Sequence, residues 1–528
     1  MTFPTHPFCG SAFETTAHCN FLISMVCVVI VAIACRLFFL ARDSLPLPPS
    51  PRGWPLVGHL FHIGTRDQWI TYHRWCKDLG SDVIHIRMPG QLLIILDSYD
   101  DCIELLEKRS AMYSGRMRML MVNELMGWDF NFTWMTYGNL WRDRRRLMHD
   151  AFSPVAVQSF RTLQLEGARE LLPRRQHTTD IVVELRQLAG KTIMDIAYGL
   201  KVKPKDDPFI AAAEKGVSAL LEAGFPGKYL VDSIPILRHI PSWMPGAEFK
   251  RKAREWRENT NIMVEMPFAA FLDSLRDGTA PPSFTYNAMQ KAASKESGIY
   301  TEENIKAVSG TMYQTGSDTT LSGMAFCVLS LLDRPDVVQR IQAEIDSVTG
   351  NTRLPDFQDE DCLPYLMATI KESLRYWSIA PLGVPHVSTA DDEYRGYRLP
   401  HGSVIVPNCW AILHNEEIFP EPFRFIPERF RNGSNLEQVN AHWDVGVFGF
   451  GRRVCTGRYM AWASIWITLA HILAVYNIEK PKDEHGKVIE PSDDLIPAIL
   501  LAPPDYRCRF TFRSKETEEL LTAALSEL

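Results

Sequence analysis

The stretch Phe448-Gly449-Phe450-Gly451-Arg452-Arg453-Val454-Cys455-Thr456-Gly457 sets one cysteine inside a glycine-bracketed turn, directly before an apolar run with helical spacing at residues 458–474. Gly451 and Gly457 give the chain backbone angles closed to other residues, so it can turn tightly and aim successive N–H groups at a sulfur. The dipole at the start of the following helix adds to those groups in favouring thiolate over thiol. Cys455 therefore reads as the ligand of a haem iron, and Arg453 as the partner of a haem propionate. A structural cysteine in an ordinary loop is the plainer alternative. At average residue usage, the pattern Phe-x-x-Gly-x-Arg-x-Cys-x-Gly arises by chance in a chain this long with probability on the order of 10⁻⁴, which sets that alternative aside.

These residues resemble the haem-binding loop of the cytochromes P450, the haem-thiolate monooxygenases. The resemblance implies haem b ligated through Cys455, with Phe448, Arg453 and Gly457 in the cofactor-binding loop. It also implies a mostly α fold with a minor β region. One departure is Thr456, which stands where many members have proline.

With 528 residues, no internal repeat and no long low-complexity linker, the chain reads as one large catalytic unit. A net charge of −7 argues against nucleic acid as a partner. The eleven cysteines are scattered and include no Cys-x-x-Cys, so neither a disulfide framework nor a zinc site is indicated.

Residues 21–35 (FLISMVCVVIVAIAC) are apolar apart from Ser24, and the run resumes after Arg36 up to Arg42. That approaches the roughly 20 residues that span a bilayer. A cleaved signal peptide is the rival, because Ala32-Ile33-Ala34 mimics a cleavage site. Against it, residues 1–20 hold no Lys or Arg, whereas Arg36, Arg42 and Arg52 follow the run. The positive-inside rule then leaves the bulk of the chain in the cytosol. The expected organisation is a short lumenal segment 1–20, a single N-terminal transmembrane helix 21–41, a proline-rich hinge 42–58, and a haem-thiolate domain 59–528 on the endoplasmic reticulum membrane. The hinge is too rich in proline for a helix and suits a stiff extended spacer.

Residues 301–332 form a long helical pattern, apolar on most faces, with Thr301 as N-cap. Its centre, Thr315-Gly316-Ser317-Asp318-Thr319-Thr320, is a polar break that a purely structural helix has little reason to carry, and Gly316 is expected to loosen the helix locally. The fragment resembles the family's oxygen-binding groove, in which an acid-alcohol pair, here Asp318 and Thr319, relays protons during dioxygen activation. A Ser/Thr kink is the structural alternative. Thr315 stands where the family usually has Ala or Gly.

Glu372-x-x-Arg375 resembles the family's Glu-x-x-Arg, but that tetrad recurs at four other places, starting at Glu166, Glu248, Glu421 and Glu428. What selects Glu372 is its helical setting (residues 362–377), upstream of Arg429 and then of Cys455. The resemblance makes Glu372, Arg375 and Arg429 one buried charge network. It also sends Trp141 and Arg145, four apart and so on one helical face, to a propionate, with His386 as a third contact. Arg142, Arg144 and Arg146 read equally as a solvated face. A basic patch there would attract an acidic flavin-containing reductase.

Residues 116–134 are rich in methionine and aromatics and suit an adaptable apolar pocket. Residues 234–245, apolar and proline-broken, suit a mobile lid dipping into the membrane. Short strands are expected at 83–88 and 92–96, helices at 69–79 and 99–109, and a small hairpin within 392–406.

Together these features imply a membrane-anchored monooxygenase that takes NADPH electrons from a separate NADPH–cytochrome P450 reductase and oxidises an apolar small molecule. Its texture resembles fungal microsomal members of specialised metabolism acting on terpenoids or aromatics. Tyr113-Ser-Gly-Arg116, residues 122–128 and residues 249–253 resemble the tryptamine 4-monooxygenase and O-methylsterigmatocystin oxidoreductase types. The rivals are a thiolate-haem isomerase or dehydratase needing no external electrons, which Asp318 and Thr319 argue against, and a non-catalytic membrane haem carrier or sensor.

Overall fold

The computed structural model describes residues 45–526 apart from residues 55–56, 65, 173–178, 225–227, 297, 493–499 and 505. The expected lumenal segment and transmembrane helix lie outside the described residues, as does part of the hinge. The hinge residues 45–53 form neither helix nor strand.

By contact density the chain divides in two. A small unit takes residues up to 48 together with residues 391–400. It holds the expected hairpin, Asp392–Tyr394 against Tyr397–Leu399. Arg395 and Gly396 both have positive φ there, 51° and 76°, which is the two-residue turn whose twist suits antiparallel strands.

The larger unit, residues 49–390 and 401–528, is mostly helical and carries every candidate site residue. A four-stranded sheet lies in it, β1 (Val83–Met88), β2 (Gln91–Leu96), β3 (His386–Val387) and β4 (Val404–Pro407), in the order β1-β2-β4-β3. β2 and β4 run parallel, and the other pairs are antiparallel. The helices that position the site are α1 (Asn139–Phe152), α2 (Arg161–Leu171), α3 (Ile181–Tyr198), α4 (Pro208–Ala223), α5 (Glu248–Arg276), α6 (Glu302–Leu331), α7 (Pro364–Trp377), α8 (Leu436–Phe448) and α9 (Arg458–Val475).

α6 is the axis of this unit. The Thr301 side chain accepts from Asn304 N, Glu302 and Glu303 occupy the first turn, and most of the helix is buried. The polar centre does not interrupt it, so the expected loosening at Gly316 is corrected. A Cβ on Gly316 would lie 2.9 Å from Ile193 Cδ1. Glycine at this point lets α6 close onto α3, and packing rather than flexibility accounts for it. Gly323 does the same against Ile465 of α9, whose Cδ1 would be 2.7 Å from an added Cβ.

Two further stretches gain detail. The helix expected at 99–109 is a short α-turn, Tyr99–Cys102, followed by a π-turn, Ile103–Lys108. The wider turn carries the Leu106 carbonyl to the Cys455 loop, where a Cβ on Gly451 would be only 2.4 Å away. Residues 116–134 are largely packed core: Met119, Met121, Val122, Met126 and Trp128 are buried in one cluster with Ile193 and Met312. α9 is apolar and long enough to cross a membrane but is mostly buried, which makes it a core helix.

Candidate active site

The cysteine loop is built by its own backbone. Gly449 at φ 82° and Gly451 at φ 50° turn the chain, and Cys455 N donates to Phe448 O at 2.8 Å to close it. Gly457 has an ordinary φ of −86°, so the expectation that it supplies a special backbone angle is corrected. Its contribution is a backbone N–H that bonds to the sulfur. Burial raises the Cys455 thiol, while that N–H, Arg145 and Arg458 pull it back down. The side chain is nonetheless accessible. A thiol walled in deeply enough to be desolvated, yet open to contact, faces space inside the protein.

Next to it sits a cluster of cations. Arg145 Nη2 donates to Val454 O, and its Cζ lies 5.9 Å from the centre of the Trp141 ring. The Cζ of Arg453 is 4.3 Å from the same ring. Burial pulls Arg145 down to about 10, against the favourable pull of Cys455. Burial and the neighbouring Arg116 and Arg145 pull Arg453 down to about 8. Arg116, buried and next to Arg145, falls to about 9. His386 Nδ1–H donates to Tyr113 O at 2.7 Å, which leaves Nε2 as the other ring nitrogen. Burial, with Arg116 and then Arg453, holds it well below its usual range, so it stays neutral. It is buried rather than a surface histidine.

Among the described residues, none of Arg116, Arg145 and Arg453 is paired with a carboxylate. Arg116 is buried and Arg145 and Arg453 are partly buried, and guanidinium groups so placed that repel one another need anionic partners from elsewhere. The buried Trp141 Nε1 has no protein partner either. An orphaned indole donor, acid-free arginines and an accessible cysteine sulfur fit a haem with two propionates. Arg453 has less to give than expected, because it already donates to Ser114 O, Phe132 O and Met135 O at 2.8–3.2 Å. Arg116 spends Nε on Thr133 O and Nη1 on Val384 O and Pro385 O, leaving Nη2 for a ligand. The sequence reading took Arg116 only as part of a run. Its signal was an arginine pair, Arg116 and Arg118, at the head of a methionine-rich apolar stretch.

Arg144 is not part of a solvated face. It is buried, donates to Asn304 Oδ1 at 3.1 Å and Phe130 O at 2.8 Å, and pairs with Glu303 at 3.0 Å, which locks α1 to α6. Arg142 and Arg146 are exposed.

On α6, Thr319 Oγ1 donates to Thr315 O at 2.6 Å and Thr315 Oγ1 to Thr311 O at 2.8 Å. Both hydroxyls spend their proton on the helix and present oxygen as an acceptor. Burial raises the Asp318 carboxyl, Arg186 lowers it, and Glu214 raises it. Arg186 and Glu214 are 3.8 Å apart and partly exposed, bridging α3 and α4. Asp318 therefore combines a proton-holding environment with charged neighbours that reach solvent.

The expected charge network is present. Arg375 donates to Glu372 from Nε and Nη2 at 2.7 and 2.9 Å, and Arg429 Nε donates at 3.2 Å. Ile426 N adds 2.8 Å. Both Glu372 and Arg375 are wholly buried, which makes the network structural.

A model of the cytochrome P450 family matches residues 48–510. Cytochrome P450 monooxygenase 98 of Postia placenta is 39% identical over 487 residues, covering 92% of this chain and 94% of that protein. Tryptamine 4-monooxygenase of Psilocybe cyanescens is 37% identical, covering 89% and 94%. Cytochrome P450 monooxygenase ARMGADRAFT_974139 of Armillaria gallica is 38% identical, covering 94% and 98%. With its fold, its cysteine loop and this similarity, the chain belongs to the cytochrome P450 family, which carries a Cys-ligated haem, and its relatives are named monooxygenases.

Proposed function

We propose that this protein is a membrane-anchored monooxygenase that hydroxylates or otherwise oxidises an apolar small molecule in fungal specialised metabolism, using NADPH electrons delivered by a separate reductase. The observation that carries the reading is the accessible Cys455 near three acid-free arginines, Arg116 buried and Arg145 and Arg453 partly buried. In that reading Cys455 ligates haem b, and Trp141, Arg145, Arg116 and His386 hold its propionates, with Arg453 chiefly bracing the loop. Bound haem supplies dioxygen activation, which thiolate ligation favours. Asp318 holds the exchangeable proton, and Thr319, as an acceptor, keeps a protonated group in register. Exposed Arg142, Arg146 and Arg452 suit an acidic reductase.

Thr319→Ala is expected to keep consuming NADPH while hydrogen peroxide rises and oxidised product falls. Asp318→Asn is expected to slow the whole cycle by on the order of 10²-fold, the low end for a positioned proton transfer. Unchanged product per NADPH in Thr319→Ala would remove the threonine from the mechanism.

Membrane attachment is supported by large exposed apolar side chains: Trp54 and Phe61 near the hinge, and Leu230, Ile236 and Trp243 around residues 230–245. Both groups flank the β1–β2 hairpin: His59 N donates to Arg87 O of β1, and Gly90 in its turn lies near Ser233 O. Protease added to intact microsomes should digest the body. Full protection would place it in the lumen instead.

A further inference from the structure

Behind the polar turn of α6 lies a chamber of about 10 Å³ walled by α2, α3, α6 and α9. That is about the space one water-sized sphere needs. Its walls are unusually polar for a core. Gln164 of α2, Thr192 of α3, Thr320 of α6, and Ser464 and Thr468 of α9 all line it, and each is at least nine-tenths buried.

The hydrogen bonds among these groups do not close. Gln164 Nε2 donates to Met460 O at 3.0 Å and to Ser464 Oγ at 2.8 Å, while Gln164 Oε1 has no protein partner. Exchanging the amide atoms would set Oε1 against the Met460 carbonyl, acceptor on acceptor, so the assignment is fixed by its neighbours. The hydroxyls of Thr192, Thr320 and Thr468 make no hydrogen bond to any described protein group. This is a choice of geometry at Thr320, because Thr311, Thr315 and Thr319 on the same helix all bond back to the carbonyl four residues earlier.

We propose that this chamber is a built water-binding site. One water donates to Gln164 Oε1 and completes its bonds with the facing threonine hydroxyls, giving it the two to four partners a buried water takes. The water is then a clamp between helices. It ties the turn that carries Asp318 and Thr319 to α9, which starts at the cysteine loop, and to α2 and α3. Thr320 is a positioning residue, acting through the water on the placement of Thr319. This second half rests on the monooxygenase reading, whereas the hydration itself does not.

A high-resolution crystal structure of the holoenzyme should show an ordered water about 3 Å from Gln164 Oε1, and the absence of density there would overturn the proposal. Thr320→Val gives a test of sign, because valine keeps the shape and deletes only the hydroxyl. If water is bound, the variant strips it of a partner and the midpoint of thermal unfolding falls by a few degrees. If the chamber is dry, the variant relieves an unpaired buried hydroxyl and the midpoint rises, which would also overturn the proposal. Thr320→Val should further raise the peroxide share of consumed NADPH, and Thr320→Ser should restore both properties. A lowered midpoint with an unchanged peroxide share overturns the positioning role and upholds the water site. Loss of all turnover in every variant and in the parent protein would count against the monooxygenase reading alone.

Discussion

Cys455→Ala should abolish the thiolate-type Soret band of the reduced CO complex while the polypeptide keeps its far-UV circular dichroism. The loop does not depend on the sulfur for its shape: Gly449 and Gly451 hold the turn, and the Cys455 N to Phe448 O bond survives in alanine. The buried cysteines Cys76, Cys102, Cys327 and Cys409 are not prepared to take over. Burial holds Cys76 and Cys102 far up, as thiols, and pushes Cys327 and Cys409 to about 12. At Cys455, by contrast, an N–H and two arginines oppose that rise. Cys455→His should lose the same band, since imidazole cannot supply a thiolate charge. If the band persists in Cys455→Ala, the ligand lies elsewhere and the whole site must be redrawn.

What could be read from the sequence follows from how far each feature reaches. The cysteine loop and the 301–332 helix are local, and spacing along the chain was enough to place them. Glu372 needed context, because four other tetrads match it, and only its position upstream of Arg429 and Cys455 chose it. The errors concern partners across the fold. Gly316 looked like a weakness in α6 because Ile193, more than a hundred residues earlier, is invisible from the sequence around it. Arg144 looked solvated because one helical turn of arginines gives no sign of which one meets Asn304 and Glu303. Arg116 was missed for the same reason: its repulsive neighbours Arg145 and Arg453 come together only in the folded chain. The π-turn at Ile103–Lys108 escaped because its residues carry an ordinary helical pattern, and the wide turn is selected by the loop packed against it.

Removing Glu372 should cost more stability than any substitution at the haem face, although no reacting group touches it. Its carboxylate is the acid for two guanidinium groups, one of them, Arg375, with no exposure at all. Glu372→Ala strands both charges in the core, and breaking a buried pair in this way typically costs about 3–5 kcal/mol, against a total of about 5–15 kcal/mol for a typical domain. The loss is directed at the active site. Arg375 also holds Leu413 O and Pro422 O, Arg429 holds Pro420 O, and Trp443 Nε1 of α8 donates to Lys371 O of α7 at 2.9 Å. These bonds fasten residues 413–430 and α8 to α7, and α8 ends at Phe448, where the cysteine loop starts. Glu372→Ala should therefore yield little haem-loaded protein, and its urea midpoint should fall steeply. Glu372→Gln should recover only part of this, because an amide presents N–H groups to arginine donors on one of its two sides. Replacing Glu372 and Arg375 together by methionine should be milder than the sum of the single changes, since the pair leaves fewer unpaired charges behind. If Glu372→Ala changes the unfolding free energy by no more than about 0.5 kcal/mol, the range of an ordinary surface substitution, then the network does not hold this region, and the cysteine loop is positioned by its backbone turns alone.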